Sequence, residues 1–343
     1  MPAPSRSERT ADVLLLGVAA VWGASFLASK DLAAETGVPA AVALRFLVAA
    51  ASVGLICLAR RERLPRGRGL VIAALLGVSQ AAVIGLETWG VHLTSATNAG
   101  LLISLALIMT PVLEGLASRS WLPRSYFVAA VTAVVGVALL VSEGGLRAPS
   151  LGDGLVIVAA AVRAVHVTAS VRLTRGRGDS SLGVVLVQML VCAAIFSAGA
   201  GGELPIALVG LSGRGWLDVL FLGVMCSVFA FVVQLWAARR TSASRASILM
   251  GTEPVWALAF GVALAGDRIG MIGMLGAALI VCSSFAGQAI ERRHRRAVER
   301  TPVPVGGASV GGASVGGASV SSPARGSSSR AYRPRRSRSR SAR

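Results

Sequence analysis

The sequence predicts an all-α polytopic membrane protein with ten transmembrane helices, arranged as two inverted five-helix repeats with both termini in the cytoplasm. Three observations lead to this fold class. The composition is apolar, with 54% hydrophobic and 15% charged residues and a mean hydropathy of +0.70, whereas soluble domains are about 25% charged. Ten apolar segments are long enough to cross a bilayer. The two halves of the chain also resemble each other in sequence.

Each apolar segment has roughly the 20 residues that a helix needs to cross the hydrocarbon core. Backbone groups that face lipid cannot bond to water, so a helical bundle without sheet is expected. The predicted spans cover residues 13–29, 38–59, 69–90, 97–117, 123–142, 153–173, 181–200, 215–237, 244–265 and 269–290.

The distribution of positive charge predicts the orientation, because cytoplasmic loops are enriched in Lys and Arg. Alternate loops carry 15 and 4 such residues, which places both termini inside. The richer set consists of Arg6, Arg9, Arg60, Arg61, Arg63, Arg66, Arg68, Arg119, Arg124, Arg172, Arg175, Arg177, Arg239, Arg240 and Arg245, and the poorer set of Lys30, Arg147, Arg214 and Arg268.

An internal duplication relates the two halves. Thr94-Ser95-Ala96 after the third span matches Thr241-Ser242-Ala243 after the eighth, and Trp89 matches Trp236 at the same spacing. Five spans per copy is an odd number, so the second copy enters the membrane from the opposite side. Inverted repeats are typical of secondary transporters, whose halves rock against each other in alternating access.

Four regions follow from this pattern. Residues 1–10 form a short cytoplasmic N-terminus, residues 11–145 and 150–290 form the two five-helix repeats, and residues 291–343 form a basic tail. The tail contains G-G-A-S-V three times, and its 13 arginines and two glutamates give +11 of the net charge of +18. Such a segment cannot bury a core and is expected to be disordered against anionic inner-leaflet lipid. Tyr332 is its only aromatic residue, so no nucleic-acid partner is expected.

Several motifs resemble the EamA type of the drug/metabolite transporter superfamily. They are Trp22-Gly23-Ala24-Ser25-Phe26, Leu44-Arg45-Phe46, Glu253-Pro254-Val255-Trp256 and Gly266-Asp267-Arg268. The resemblance covers about residues 11–290 and implies two inverted five-helix repeats. It also implies a small-metabolite permease, often an exporter of amino acids or similar compounds. The chain departs from the family where it has Gly266-Asp267 in place of Gly-Glu.

Ionisable and amide side chains inside the spans are the candidate substrate or coupling residues, because a charge in the bilayer needs a partner or a pore. Arg45 and Glu87 lie in the outer thirds of the second and third spans, and Gln188 and Gln234 occupy the equivalent inner positions. Two interpretations stay open for Arg45: it holds a substrate carboxylate or gates with Glu87, or the two form a permanent ion pair. Asn98 is a further polar candidate.

Arg163 and His166 lie mid-span in the sixth segment, on one helical face. Arg163 occupies the position of Trp22 in the other half, and an aromatic packing position does not need a guanidinium. We therefore expect an aqueous cavity there. Arg163 either serves the substrate or coupling ion, or it forms an internal salt bridge with Glu253 or Glu87.

Pro111 and Pro254 are predicted to kink the fourth helix of each half, because proline removes a backbone hydrogen bond. Glu253 lies beside the second kink. It is either a proton carrier or a structural carboxylate bonded within the bundle.

The predicted function is a permease in the cytoplasmic membrane that moves a small polar metabolite or drug-like compound by alternating access. Export driven by a proton gradient or by exchange is favoured; an uptake permease and a non-transporting scaffold or receptor are the alternatives, and a homodimer stays open. No motif for ATP binding or hydrolytic catalysis occurs, so no enzyme activity is expected. The cysteine spacing predicts no zinc site, and no cofactor is expected.

Overall fold

The computed structural model describes residues 6–118, 121–142, 150–174, 177–230, 233 and 249–300. Gln234 and the tail from residue 301 lie outside this part of the chain. The described residues form helices and no strand, as the composition predicts. The helices are α1 (Arg6–Thr36), α2 (Val38–Ala59), α3 (Arg68–Leu93), α4 (Ala96–Ile103), α5 (Ala106–Ser118), α6 (Arg124–Ser142), α7 (Leu151–Thr174), α8 (Ser181–Ala200), α9 (Glu203–Gly210), α10 (Gly213–Leu220), the π-helix π1 (Phe221–Phe229), α11 (Glu253–Ala263) and α12 (Met271–Arg300).

Seven of the described helical segments are long and apolar enough to cross a membrane. The bent pair Glu203–Gly210 and Gly213–Phe229, with an angle of 111° between its parts, makes an eighth if it is one span. Arg124–Leu140 and Glu253–Ala263 are apolar but shorter. Each of the ten predicted segments contains helix among its described residues, although turns interrupt the fourth at Ser104 and Leu105 and the ninth at Gly251 and Thr252. The count of ten spans stays a prediction.

The ends of the helices follow local chemistry. α1 gives way to α2 at Gly37, whose φ of 77° suits a residue without a Cβ. Ser95 and Ser180 begin α4 and α8, and each accepts a hydrogen bond from a backbone N–H in the first turn. At the other end of the chain, α12 continues to Arg300 through the first ten residues of the predicted tail. Arg, Glu and Ala are strong helix formers, which explains the extension.

Of the two prolines predicted to kink a helix, one lies inside a helix and the other does not. Pro111 lies inside α5, as predicted. Pro254 lies in the first turn of α11, after a turn at Gly251 and Thr252, so it starts a helix and does not kink one. Proline is well tolerated there because the first backbone N–H groups of a helix have no intrahelical acceptor.

Helices from the two halves pack directly on each other. The most extensive pairs are α6 with α12, α3 with α7, α2 with α8, α3 with α8 and α1 with α11. Glycines allow the closest approaches, as is common between membrane helices. A Cβ on Gly276 would lie 2.6 Å from the Gly136 carbonyl oxygen, and one on Gly152 would lie 2.7 Å from the Gly90 carbonyl oxygen. The core of the bundle is therefore shared between the repeats.

Candidate functional site

A cluster of three charged side chains lies where α3, α7 and α11 meet. Arg163 on α7 donates a hydrogen bond from Nη2 to Glu87 Oε2 on α3, over 2.9 Å. Its other terminal nitrogen, Nη1, lies 3.7 Å from Glu253 Oε1 at the start of α11. One guanidinium thus bridges two carboxylates that come from different halves of the chain. We call these three residues the charged centre.

The surrounding elements explain why these three side chains meet. α3 and α7 pack along each other, which brings Glu87 opposite Arg163. Glu253 is the first residue of α11, where the positive end of the helix dipole favours a carboxylate. Arg163 keeps 26% of its side-chain surface exposed, against 10% for Glu87 and 14% for Glu253. The charged centre is therefore mostly buried within the bundle, and each of its side chains keeps some exposed surface.

The ion pair between Arg45 and Glu87, which was one of the two interpretations left open for Arg45, does not form. Glu87 is bound by Arg163, because α3 packs much more extensively on α7 than on α2. Among the described residues, no carboxylate lies within ion-pair distance of Arg45. Its guanidinium carbon lies 5.7 Å from the centre of the Phe46 ring, and its Nε is buried without a hydrogen-bond partner.

His166 turns away from the two carboxylates, although it lies three residues after Arg163. Its Nδ1 is 2.7 Å from Ser79 Oγ on α3, and its Nε2 is 3.4 Å from Ser170 Oγ. Ser79 Oγ donates its proton to the Leu76 carbonyl. The Ser79 hydroxyl therefore lies between the Leu76 carbonyl and the His166 ring, and its contact with the ring links α3 to α7.

The predicted amide candidates do not join the charged centre within the described part of the structure. Asn98 lies in the first turn of α4, where its backbone N–H is bound by Ser95 Oγ. Gln188 lies on α8, with its backbone against Gly77 of α3. Gln234 is not among the described residues.

A second polar network, which the sequence did not reveal, surrounds the turn between α3 and α4. Thr94 Oγ1 donates to Asp153 Oδ1 of α7 over 2.7 Å, and Lys30 Nζ donates to the Thr94 carbonyl over 2.7 Å. Three residues on, the Thr97 N–H donates to Asp267 Oδ2 over 2.9 Å. Two of these bonds join one repeat to the other. The only sequence signal was the repeated Thr-Ser-Ala, which marks the turn but not its partners.

Other features bear on the predicted chemistry. A separate cleft of about 240 Å³ has Glu35, Thr36 and Glu203 in its lining, at the junction of α1 and α9. The four cysteines are free thiols. Within the described residues, no three His, Cys, Asp or Glu side chains are grouped to hold a metal ion.

Comparison with known proteins gives a consistent result. The model of the EamA-like transporter family matches residues 9–142 and again residues 150–286. The chain is 26% identical over 267 residues to the uncharacterized inner membrane transporter YedA of Escherichia coli strain K12, covering 76% of this chain and 85% of that protein. It is 35% identical over 99 residues to the uncharacterized transporter YoaV of Bacillus subtilis strain 168, covering 29% and 32% of the two chains.

A solved crystal structure shares the fold. It superposes with a TM-score of 0.56 over 83% of this chain and 99% of its own, at 18% sequence identity. Identity at this level supports a common fold alone. The family matches together span most of the described helices and confirm both the resemblance noted in the sequence and the location in the cytoplasmic membrane. The protein is a multi-pass membrane protein and belongs to the EamA-like transporter family.

Proposed function

We propose that this protein is a permease that moves a small polar metabolite across the cytoplasmic membrane by alternating access. It has ten spans in two inverted five-helix repeats, with both termini inside. Transport is outward and is driven by a proton gradient or by exchange. Support comes from membership of a family named for transporters, from relatives named as transporters, and from the apolar helices.

The charged centre is the observation that carries the proposal. Arg163 holds Glu87 of the first half and Glu253 of the second, and the three side chains keep some exposure inside the bundle. When two halves rock, contacts between them must change. A ligand that alters the charge balance at Arg163 therefore favours one arrangement of the halves over another, which is the coupling that transport requires.

Arg45 supplies a second polar position in the bundle. Its guanidinium has no carboxylate partner among the described residues, so it is available for an anionic or acceptor group of the substrate. Of the interpretations of Arg45, we therefore retain the one in which it binds the substrate. We no longer propose that it gates together with Glu87. No catalytic role is proposed for any residue.

Transport by the purified full-length protein in liposomes tests the proposal. A broad panel of labelled metabolites is offered under an imposed proton gradient and, separately, with unlabelled compound inside. We expect protein-dependent flux of at least one compound, lost in Arg163→Gln and kept in the exposed control Glu203→Gln. The direction of the gradient that supports accumulation separates export from uptake. Absence of flux for every compound under both conditions would instead favour a non-transporting membrane protein.

A further inference from the structure

The charged centre contains more negative than positive groups, which does not suit a binding site for anions. Glu87 and Glu253 are two carboxylates, and Arg163 is a single guanidinium that bonds to one and lies 3.7 Å from the other. With both glutamates ionised, the centre has a net charge of −1. An uncompensated charge inside a membrane protein is costly, so the centre favours one additional positive charge.

No other cation of the described bundle cancels this charge by contact. Arg163 is the one cation within ion-pair distance of Glu253 among the described residues. Arg45 on α2 makes no ion pair with either carboxylate, and His166 on α7 is held by Ser79 and Ser170. Glu114 on α5 and Asp12 on α1, the two helices beside α7 and α11, are themselves acidic. The positive charge must therefore come from a ligand or from a proton.

An anionic ligand is disfavoured at the same place. It would have to displace a carboxylate from Arg163 or raise the local negative charge further. The 2.9 Å bond to Glu87 uses Nη2, and Glu253 faces Nη1, so both terminal nitrogens of the guanidinium already face a carboxylate. Glu253 is the more accessible carboxylate for a cation, because it lies 3.7 Å from Arg163, whereas Glu87 lies 2.9 Å from it.

We infer that the Glu87–Arg163–Glu253 centre binds one monovalent cation at a time: the protonated amine of the transported compound, or a proton when the amine is absent. The inference rests on the proposed function and names the charge class of its ligand. Amine and proton compete for Glu253, so acidification weakens binding of the amine.

Three probes of matched shape test this charge class. Benzylamine, benzyl alcohol and benzoate share a ring and differ in charge, and ligand binding raises the thermal midpoint of the full-length protein in detergent. We expect benzylamine alone to raise it, with a smaller effect at acidic than at neutral pH. In Glu253→Gln the apparent affinity for benzylamine should fall at least about tenfold. The Arg163–Glu87 bond keeps that variant folded, and a circular dichroism spectrum checks this.

Glu203→Gln is the matched control, because Glu203 is an exposed carboxylate in the separate cleft. It should behave as the wild type with all three probes. Stabilisation by benzoate in place of benzylamine, equal stabilisation of wild type and Glu253→Gln by benzylamine, or no effect of any probe would each overturn the inference. Binding in detergent needs no gradient, so this result is independent of whether flux is found in liposomes.

Discussion

Because Arg163 has two carboxylate partners, removing its guanidinium is expected to destabilise the folded protein. Breaking a buried ion pair leaves an uncompensated charge and costs about 3–5 kcal/mol. We expect a value near the lower end, because Arg163 keeps 26% of its surface exposed. Arg163→Gln should therefore lower both the yield of folded protein and its thermal midpoint, measured by size-exclusion chromatography and thermal melting in detergent.

Adding substitutions at the partners distinguishes a structural role from a substrate role. Arg163→Gln with Glu253→Gln still leaves Glu87 ionised and unpaired, so recovery should be partial. Adding Glu87→Gln as well should restore the yield. A single Arg163→Gln protein that folds like the wild type would contradict this prediction and leave only a substrate role for the guanidinium.

Each member of the charged centre was predictable, as was a salt bridge from Arg163 to Glu253 or Glu87, but that one guanidinium faces both carboxylates was not. A charged residue in an apolar span is conspicuous in any sequence, which is why Arg163, Glu87 and Glu253 were all identified. Which helix faces which is decided by packing among many side chains, and the repeat does not encode it. Arg45 therefore seemed a suitable partner for Glu87 by depth in the membrane, although α3 presents Glu87 to α7.

The crossing of α3 and α7 offers a test at the level of helices. A Cβ on Gly152 would lie 2.7 Å from the Gly90 carbonyl oxygen and 2.8 Å from the Leu93 carbonyl carbon. Backbone atoms cannot move aside cheaply, so Gly152→Ala should lower stability by about 1–3 kcal/mol. Thermal melting of the purified protein measures this.

Gly154→Ala is the control on the same helix, since a Cβ there would meet nothing within 4 Å. It should be neutral or slightly stabilising, because alanine is the better helix former. Equal midpoints for the two variants would mean that the close crossing does not exist in the membrane protein.

Helix positions were predictable from the length of the apolar segments, whereas interruptions within the helices were not. The predicted fourth span is divided into α4 and α5 at Ser104 and Leu105, and the eighth contains the π-helix π1. Neither place contains a proline. Pro254 was expected to kink a helix and begins one, because a proline in the first turn and one in the interior look alike in a sequence.

The topology of the whole chain is tested by single cysteines on a background without the four native ones. Ala34 and Leu151 are exposed at the ends of α1 and α7 that the charge distribution places outside. Cysteines there should react with a membrane-impermeant maleimide in intact cells. Cysteines at the exposed Arg66 and Arg177 should react only after permeabilisation. The reverse pattern would overturn the orientation.

The basic tail is expected to be dispensable for folding and transport. Residues 301–343 have no apolar segment that could pack on the bundle. Deleting them should leave membrane abundance and flux unchanged, as measured by immunoblotting and by the liposome assay. Normal abundance with reduced flux would mean that the tail regulates the transporter.

The charged centre also constrains how the protein can evolve. Its carboxylates come one from each half, and its guanidinium replaces an aromatic residue of the other copy. The second half carries Arg163 and Glu253, whose charges balance, and the first half supplies the extra carboxylate of Glu87. Loss of one carboxylate would neutralise the centre, whereas loss of the guanidinium would leave two negative charges. We therefore expect the centre to tolerate the loss of a carboxylate more readily than the loss of Arg163.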